Sequence, residues 1–366
     1  MAKVSIIVPT YNVEQYLEEC LESLRRQTLH DIESICIDDG ATDGSPEILD
    51  RYARQDSRFI VIHKENGGYG KAMNVGLDRA AGEYIGIVEP DDFVSLTMFE
   101  DLYAVAKENL LDFVKADFYR FARNENSGNM SLTYNHLDKN GEYYNQLINP
   151  SETPYVTKFI LNTWSGIYAR DFIEKYHIRH NETPGASFQD NGFFWQTFMY
   201  ARRCMFLDRP YYMNRRDNPN SSVNSREKVY CMNIEYDFIR DIFMQKGNEA
   251  LWERFKGYYH FKRYHNYMFT LSRIGDAYKQ EYTERIGKEL KRAKELDELD
   301  LSLFTPAEQN KIQFLIKDPK AYYWKYVLYD GSKLTAEDVK NTVTFKIGAA
   351  VVYIPRKIMR MIKGKK

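Results

Sequence analysis

The first 92 residues alternate between two hydrophobic periods, and that alternation limits the fold more than any other feature of the chain. Short continuous apolar runs at residues 4–8, 32–37, 59–62 and 84–88 read as strands buried on both faces. Between them the apolar spacing lengthens to that of a helix. Val13, Tyr16, Leu17, Cys20, Leu21 and Leu24 share one face after Asn12, which can cap the helix, and residues 45–54 and 70–80 repeat the pattern. Strand–helix–strand units of this kind predict an α/β fold, a mostly parallel sheet covered by helices on both faces.

In such a sheet ligands sit at the carboxyl ends of the strands. Each of those ends is polar here: Thr10-Tyr11-Asn12, then residues 38–45 (DDGATDGS), then Lys64-Glu65-Asn66-Gly67-Gly68 with Lys71, then Glu89-Pro90-Asp91-Asp92. Any one of these could be an ordinary turn, since Asp, Gly and Ser are the usual turn residues. All four on one edge point to a site. The turn after the first strand has no glycine, which excludes a dinucleotide fingerprint, and residues 67–72 (GGYGKA) lack the spacing and hydroxyl of a phosphate loop. Glu89, Asp91 and Asp92 offer hard oxygen ligands that suit Mg²⁺ or Mn²⁺, through which a diphosphate could be neutralised.

Farther along, residues 94–123 read as helix then strand, 124–150 as a long polar loop, 155–215 as mixed short elements, and the chain from 226 as helical. Thr305-Pro306-Ala307-Glu308 is a capping box with Pro at the first helical position, and Asp318-Pro319 marks the stop. The division is placed near 225, giving domains 1–225 and 226–366. With 51 Lys and Arg against 52 Asp and Glu, the chain lacks the basic excess of a nucleic-acid binder. Cys20, Cys36, Cys204 and Cys231 have no paired spacing and read as reduced thiols of a cytoplasmic protein. The apolar runs at residues 4–8 and 347–354 are too short for a signal peptide or a membrane span.

The segments VSIIVPTYN, DDGATDGS and ENGGYGKAMNVGLDRAAGEYIGIVEPDD together resemble the nucleotide-sugar-binding half of family 2 glycosyltransferases of GT-A fold, of the bacterial type that builds capsule, exopolysaccharide or wall glycans. The resemblance is close over residues 3–122 and looser over 183–203 and 215–225. It implies an inverting, metal-dependent transfer of sugar from a UDP-sugar to a glycan or an undecaprenyl-diphosphate-linked saccharide. By resemblance, Pro9, Thr10 and Tyr11 line the nucleotide, with Tyr11 on the uracil ring and Asp39 on its edge. Asn66 and Lys71 line the nucleotide or phosphates, Glu89 touches the ribose, Asp91 ligates Mn²⁺ or Mg²⁺, and Asp92 supports that region. Asp190 stands at the catalytic-base position. Glu89 stands where the family usually has Asp, and Gln189 where it more often has Glu.

Several residues keep two readings. Asp190 is either the base that takes the acceptor's proton or a cap of the helix that follows. Arg215 and Arg216 either close over the diphosphate or are surface charge, and Trp164 and Tyr168 are either acceptor platforms or core. A sugar-1-phosphate nucleotidyltransferase would need a glycine-rich, Arg-containing loop after the first strand. A glycan-binding scaffold that has lost activity would not need Asp39, Asp91 and Asp190 intact. In the tail 347–366, Ile354, Ile358, Met361 and Ile362 share one helical face and Arg356, Arg360 and Lys363 another. That pattern suits either a helix lying on the inner face of the membrane, making the protein peripheral, or a basic tail packed on the protein itself.

Overall fold

The computed structural model describes residues 2–124, 128–186, 188–219, 226 and 228–328. The division expected near residue 225 and the amphipathic tail 347–366 both lie outside the described residues. The described residues separate into two compact units: those up to Ile274 with Ala293–Leu303, and Gly275–Arg292 with those from Phe304 to Leu328.

The larger unit is built on one mixed sheet. Strands β1 (Val4–Thr10), β2 (Ile32–Asp38), β3 (Phe59–His63) and β4 (Tyr84–Ile87) are parallel. The sheet continues through β5 (Phe93–Val94), β6 (Phe113–Arg123), β7 (Met130–Asn135), β8 (Gly166–Ala169) and β9 (Cys204–Arg215), in the spatial order β3-β2-β1-β4-β8-β6-β9-β5 with β7 on β6. β8 is antiparallel to β4 and β6, so β6 and β9 regain the direction of β4, and the carboxyl ends of six strands share one edge.

All seven residues of β1 are buried, which only a central strand covered on both faces allows. Each of Ile6, Ile7 and Val8 contributes about 1.5–3 kcal/mol by leaving water. The covering helices are α1 (Glu14–Arg25), α2 (Ser45–Gln55), α3 (Tyr69–Arg79) and α4 (Met98–Glu108), close to the spans that periodicity predicts. β7 was not legible: in its sequence MSLTYN residues 130–133 are exposed on both faces, and its strand form comes from pairing with residues 118–123 of β6.

Behind the sheet come α5 (Arg170–Lys175), α6 (Asp190–Tyr200), α7 (Cys231–Phe243) and α8 (Glu249–Arg273). α6 is buried from Asn191 through Met199 and packs on α7, which packs on α8. The smaller unit contains most of α9 (Asp276–Glu295), with α10 (Pro306–Lys317) and α11 (Pro319–Tyr322). The expected capping box of α10 is present, and the helix stops at Asp318, whose side chain then caps α11. No helix among the described residues is long and apolar enough to cross a membrane.

Candidate active site

The first three strand ends form one wall. Pro9 and Thr10 are buried at the end of β1, while Tyr11, the next residue, is half exposed and presents its ring. Asn12 does not cap α1. Its backbone is left-handed, at φ 47°, and its side-chain oxygen accepts from Thr42 N–H (2.8 Å), tying the β1 turn to the β2 loop. Asp39 organises the third loop. One carboxylate oxygen accepts from Gly67 N–H (2.9 Å) and from the Lys64 ammonium, and the other accepts from Gly68 N–H (2.8 Å). The Asn66 amide donates to the Asp39 carbonyl (2.9 Å). Gly68 needs its φ of 89° for this turn. Lys71 is exposed in the first turn of α3, on the same loop.

At the end of β4 the three carboxylates behave differently. Glu89 accepts from the Tyr69 hydroxyl (2.8 Å), and its N–H donates to the Tyr212 hydroxyl (2.9 Å). Burial pushes its pKa up to about 8; Tyr69 opposes the shift, while the charges of Asp91, Asp92 and Asp190 add to it. Asp92 is buried, with one oxygen accepting from Arg215 N–H (2.6 Å) and the other from Asn214 Nδ2 (3.0 Å). Burial and the neighbouring Asp91 push it up to about 8 as well. Asp91 accepts a single side-chain bond, from Asn218 Nδ2 (2.9 Å).

That arrangement bears on metal binding. Among the described residues no three ligand-type side chains stand together. With Glu89 and Asp92 held by protein partners, Asp91 is the carboxylate left to bind a cation. One carboxylate completed by substrate phosphates is a donor set that Mg²⁺ and Mn²⁺ accept.

Arg215 does not reach over the donor site. It is buried, paired with Glu19 (2.6 Å) and Asp217 (3.2 Å), and its guanidinium lies 4.5 Å from the Tyr16 ring and 4.6 Å from the Phe121 ring. Its Nε donates to the Asp91 carbonyl (2.7 Å), so it fixes the Asp91–Asp92 turn from behind. Arg216, the next residue, is exposed.

Asp190 opens α6. The residue before it makes no side-chain cap, and the first-turn N–H of Gly192 donates to Glu235 Oε1 from α7 (2.8 Å). The capping reading of Asp190 therefore loses that donor to Glu235. The other Glu235 oxygen accepts from Asn181 Nδ2 (3.0 Å). Asn191 Nδ2 donates to Asp190 Oδ1 (3.1 Å), and Asn266 Nδ2, from α8, donates to Asn191 Oδ1 (2.6 Å) and to the Tyr236 hydroxyl (2.9 Å). Burial raises the Asp190 pKa to about 6, opposed by these Asn191 bonds. Tyr69 N–H donates to Gly185 O (3.1 Å), so the loop that leads into α6 is tied to the residue whose hydroxyl meets Glu89. Gln189 has work that Glu could not do: its amide nitrogen donates to Thr183 O (3.2 Å) and Gly185 O (2.9 Å).

The two aromatic candidates part company. Trp164 is half-buried, stacked on Tyr212 with centroids 4.2 Å apart and edge-on to Phe118 at 4.8 Å. Tyr168 is buried at 1% exposure, its hydroxyl given to Thr163 O (2.8 Å), and it packs on Phe113 and Phe193. It is core and cannot touch an acceptor, because inward alternation on β8 removes it from the cleft. Lys115, fully buried with its pKa lowered to about 7 by burial, donates to Asn162 O (2.8 Å) and steadies the segment that carries Trp164.

Sequence reasoning missed Tyr69, Tyr212, Glu235 and Asn266. Tyr69 lay inside a motif already singled out; the other three sit in helix or strand patterns that look like core.

A mixed sheet of this order, with helices on its faces and polar loops at its carboxyl edge, is a GT-A-like fold. The chain belongs to glycosyl transferase family 2, whose family model matches residues 5–212, and it is a glycosyltransferase. It is 41% identical over 248 residues to the uncharacterized glycosyltransferase EpsJ of Bacillus subtilis, covering 68% of each chain. It is 32% identical over 217 residues to the glycosyltransferase GlyG of Streptococcus pneumoniae, covering 58% of this chain and 70% of that one. In fold it is similar to residues 1–349 of S. aureus TarS, solved with UDP-GlcNAc, at a TM-score of 0.61 and 20% identity over 88% of this chain and 89% of that one.

Proposed function

We propose that the protein transfers a sugar, with inversion, from a UDP-sugar to a hydroxyl of a glycan or an undecaprenyl-diphosphate-linked saccharide during synthesis of a cell-surface polysaccharide. The observation that carries this reading is the setting of Asp190, half-buried at the start of α6, held by Asn191 and near enough to Glu89 for its charge to raise the Glu89 pKa. As a base, Asp190 takes the proton of the acceptor hydroxyl while that oxygen attacks the anomeric carbon, and the nucleoside diphosphate leaves on the opposite side. Tyr11 stacks on the uracil, and Asp39, whose carboxylate keeps one free acceptor position, meets its edge. Trp164, on Tyr212, offers the acceptor sugar an apolar face. Asp91 would hold Mn²⁺ or Mg²⁺, which when bound supplies Lewis-acid stabilisation of the leaving diphosphate. Peripheral attachment at the inner membrane face through residues 347–366 is part of the same proposal and fits a lipid-linked acceptor.

The test is a panel of UDP-sugars, beginning with UDP-GlcNAc and UDP-glucose, assayed for UDP release with Mn²⁺, with Mg²⁺ and with chelator. Metal-dependent turnover of one donor, lost in Asp91→Asn, supports the reading. A protein that binds these donors without turning any over with glycan acceptors would be a binding protein instead.

A further inference from the structure

We infer that Arg120 and Arg216 form an anion subsite for a substrate phosphate at the carboxyl ends of β6 and β9. The inference rests on the nucleotide-sugar reading of the cleft and extends it to residues on the far side of Asp92.

Strand alternation sets the geometry. β6 and β9 run parallel, with Phe118 opposite Tyr212 and Arg120 opposite Asn214, and the register continues as Arg216 N–H donates to Phe121 O (2.8 Å). Residues 118 and 120 thus share a face with 212, 214 and 216. Three contacts identify that face as the cleft side. Trp164 packs on both Phe118 and Tyr212, the Tyr212 hydroxyl accepts from Glu89 N–H, and Asn214 donates to Asp92. Arg215 lies on the opposite face among Tyr16, Phe121 and Glu19. Along the cleft side the row therefore runs from an aromatic floor, Trp164 over Tyr212, to two guanidinium groups.

Among the described residues, neither of those two groups has a carboxylate partner of the kind Arg215 has. Arg215, one residue from Arg216, has two carboxylate partners. Among the described residues, Arg120 and Arg216 form no ion pair. Arg120 Nε is shielded from solvent and has no hydrogen-bond acceptor, while the guanidinium group sits 5.7 Å from the Phe118 ring. A shielded donor without an acceptor is a free-energy penalty, and like charges on neighbouring strands add to it. Desolvation and the charges of Arg120 and of Arg273, the latter in the last turn of α8, lower the Arg216 pKa, against the opposing charges of Asp92 and Asp91. Asp92 offsets only part of this repulsion, and its two oxygens are already taken by Arg215 N–H and Asn214, which leaves no carboxylate hydrogen bond for the pair. Two guanidinium forks without a carboxylate partner, one of them with a shielded Nε that lacks an acceptor, match a tetrahedral oxyanion, which accepts bidentate bonds from arginine. The phosphate has two sources: the diphosphate of the donor or a phosphate carried by the acceptor.

Calorimetry on Arg120→Gln, Arg216→Gln and the double variant separates them, with thermal melts to confirm folding. Arg216 is exposed, so its variant alone keeps the test usable if Arg120→Gln fails to fold. With Mg²⁺ present, loss of about tenfold or more in UDP affinity, with UMP affinity unchanged, assigns the subsite to the outer phosphate of the donor. Unchanged UDP affinity, with wild-type binding of sn-glycerol 3-phosphate to the UDP-saturated protein lost in the variants, assigns it to an acceptor phosphate. Equal binding of UDP and of glycerol 3-phosphate by folded variants and wild type overturns the inference. If wild type binds neither UDP nor UMP, the nucleotide reading fails by itself. Glycerol 3-phosphate binding without nucleotide then still decides the subsite: binding that the variants lose sustains it, and absent or unaltered binding overturns it.

Discussion

The two halves of the cleft are held together in different ways. On the nucleotide side, Asp39 is satisfied by Lys64, Gly67 and Gly68, residues that follow it by fewer than 30 positions, on the next strand's loop. On the transfer side the partners are remote. Asp92 meets Arg215 across 123 positions, Asp91 meets Asn218 across 127, and Asn191 meets Asn266 across 75. The nucleotide wall is the product of consecutive strand–helix units and can form as they form. The transfer wall exists only once β9, α7 and α8 have packed behind it. Damage to the remote partners should therefore impair turnover before it impairs donor binding.

The largest expected effect tests that separation. Asp190→Asn should lower the transfer rate by about 10²–10⁴-fold, the contribution of a positioned base, and leave UDP-sugar affinity within about twofold. Steady-state rates and calorimetry on the same preparation decide it. If the variant keeps more than about a tenth of wild-type turnover, Asp190 is not the base.

The same contrast explains what was legible in the sequence. The first four strands and three helices, and the loops that end them, were readable because hydrophobic period and turn chemistry are local signals. Asp190 was marked by resemblance, but its surroundings were not. Asn266 lies mid-helix among tyrosines, and Glu235 reads as one more polar residue on α7, although it is buried to 1% exposure. Arg215 and Arg216 were indistinguishable as neighbours in sequence. The strand sends them to opposite faces, so one braces the Asp91–Asp92 turn while the other lies on the side of Asn214 and Tyr212. Tyr168 misled for the same reason: an aromatic near a site says nothing of direction until the register of β8 is known.

A smaller effect, and a sharper one for the comparison, comes from Asn266→Ala. The substitution removes the donor that fixes the Asn191 side chain, and Asn191 then loses its hold on Asp190. Misplacing a catalytic group by about 1 Å costs up to roughly 10²-fold, so kcat should fall about ten- to a hundredfold. UDP-sugar affinity should not move, and the pH profile should change with kcat, which a general loss of folding would not produce. The reciprocal variant is Tyr11→Ala on the nucleotide side. Loss of base stacking should weaken UDP by about 1–3 kcal/mol, while kcat at saturating donor stays within about twofold. If Tyr11→Ala lowers kcat as much as Asn266→Ala does, the two halves are not separable.

The last prediction turns on the pKa of Asp190, which burial raises from the ordinary aspartate value of 3.8 to about 6. A base works only when deprotonated, so kcat should rise with pH through about 6 and then level, with binding of the active UDP-sugar flat over the same range. Stability should run the other way. The unfolded chain gives up the Asp190 proton near 3.8, while the folded chain keeps it to about 6, so between those values the folded state binds more protons. The Asp190 contribution to stability is thus fully present below 3.8 and is lost as pH rises through about 6. Asn at this position carries no such penalty. Asp190→Asn should therefore melt at a higher temperature than wild type at pH 7.5, and the two should converge by pH 4. An inactive variant that gains stability only where the carboxylate would be charged is the behaviour of a group held for chemistry against its solvation. Equal melting temperatures across the range would place Asp190 in a more open, water-filled setting than the start of α6 provides.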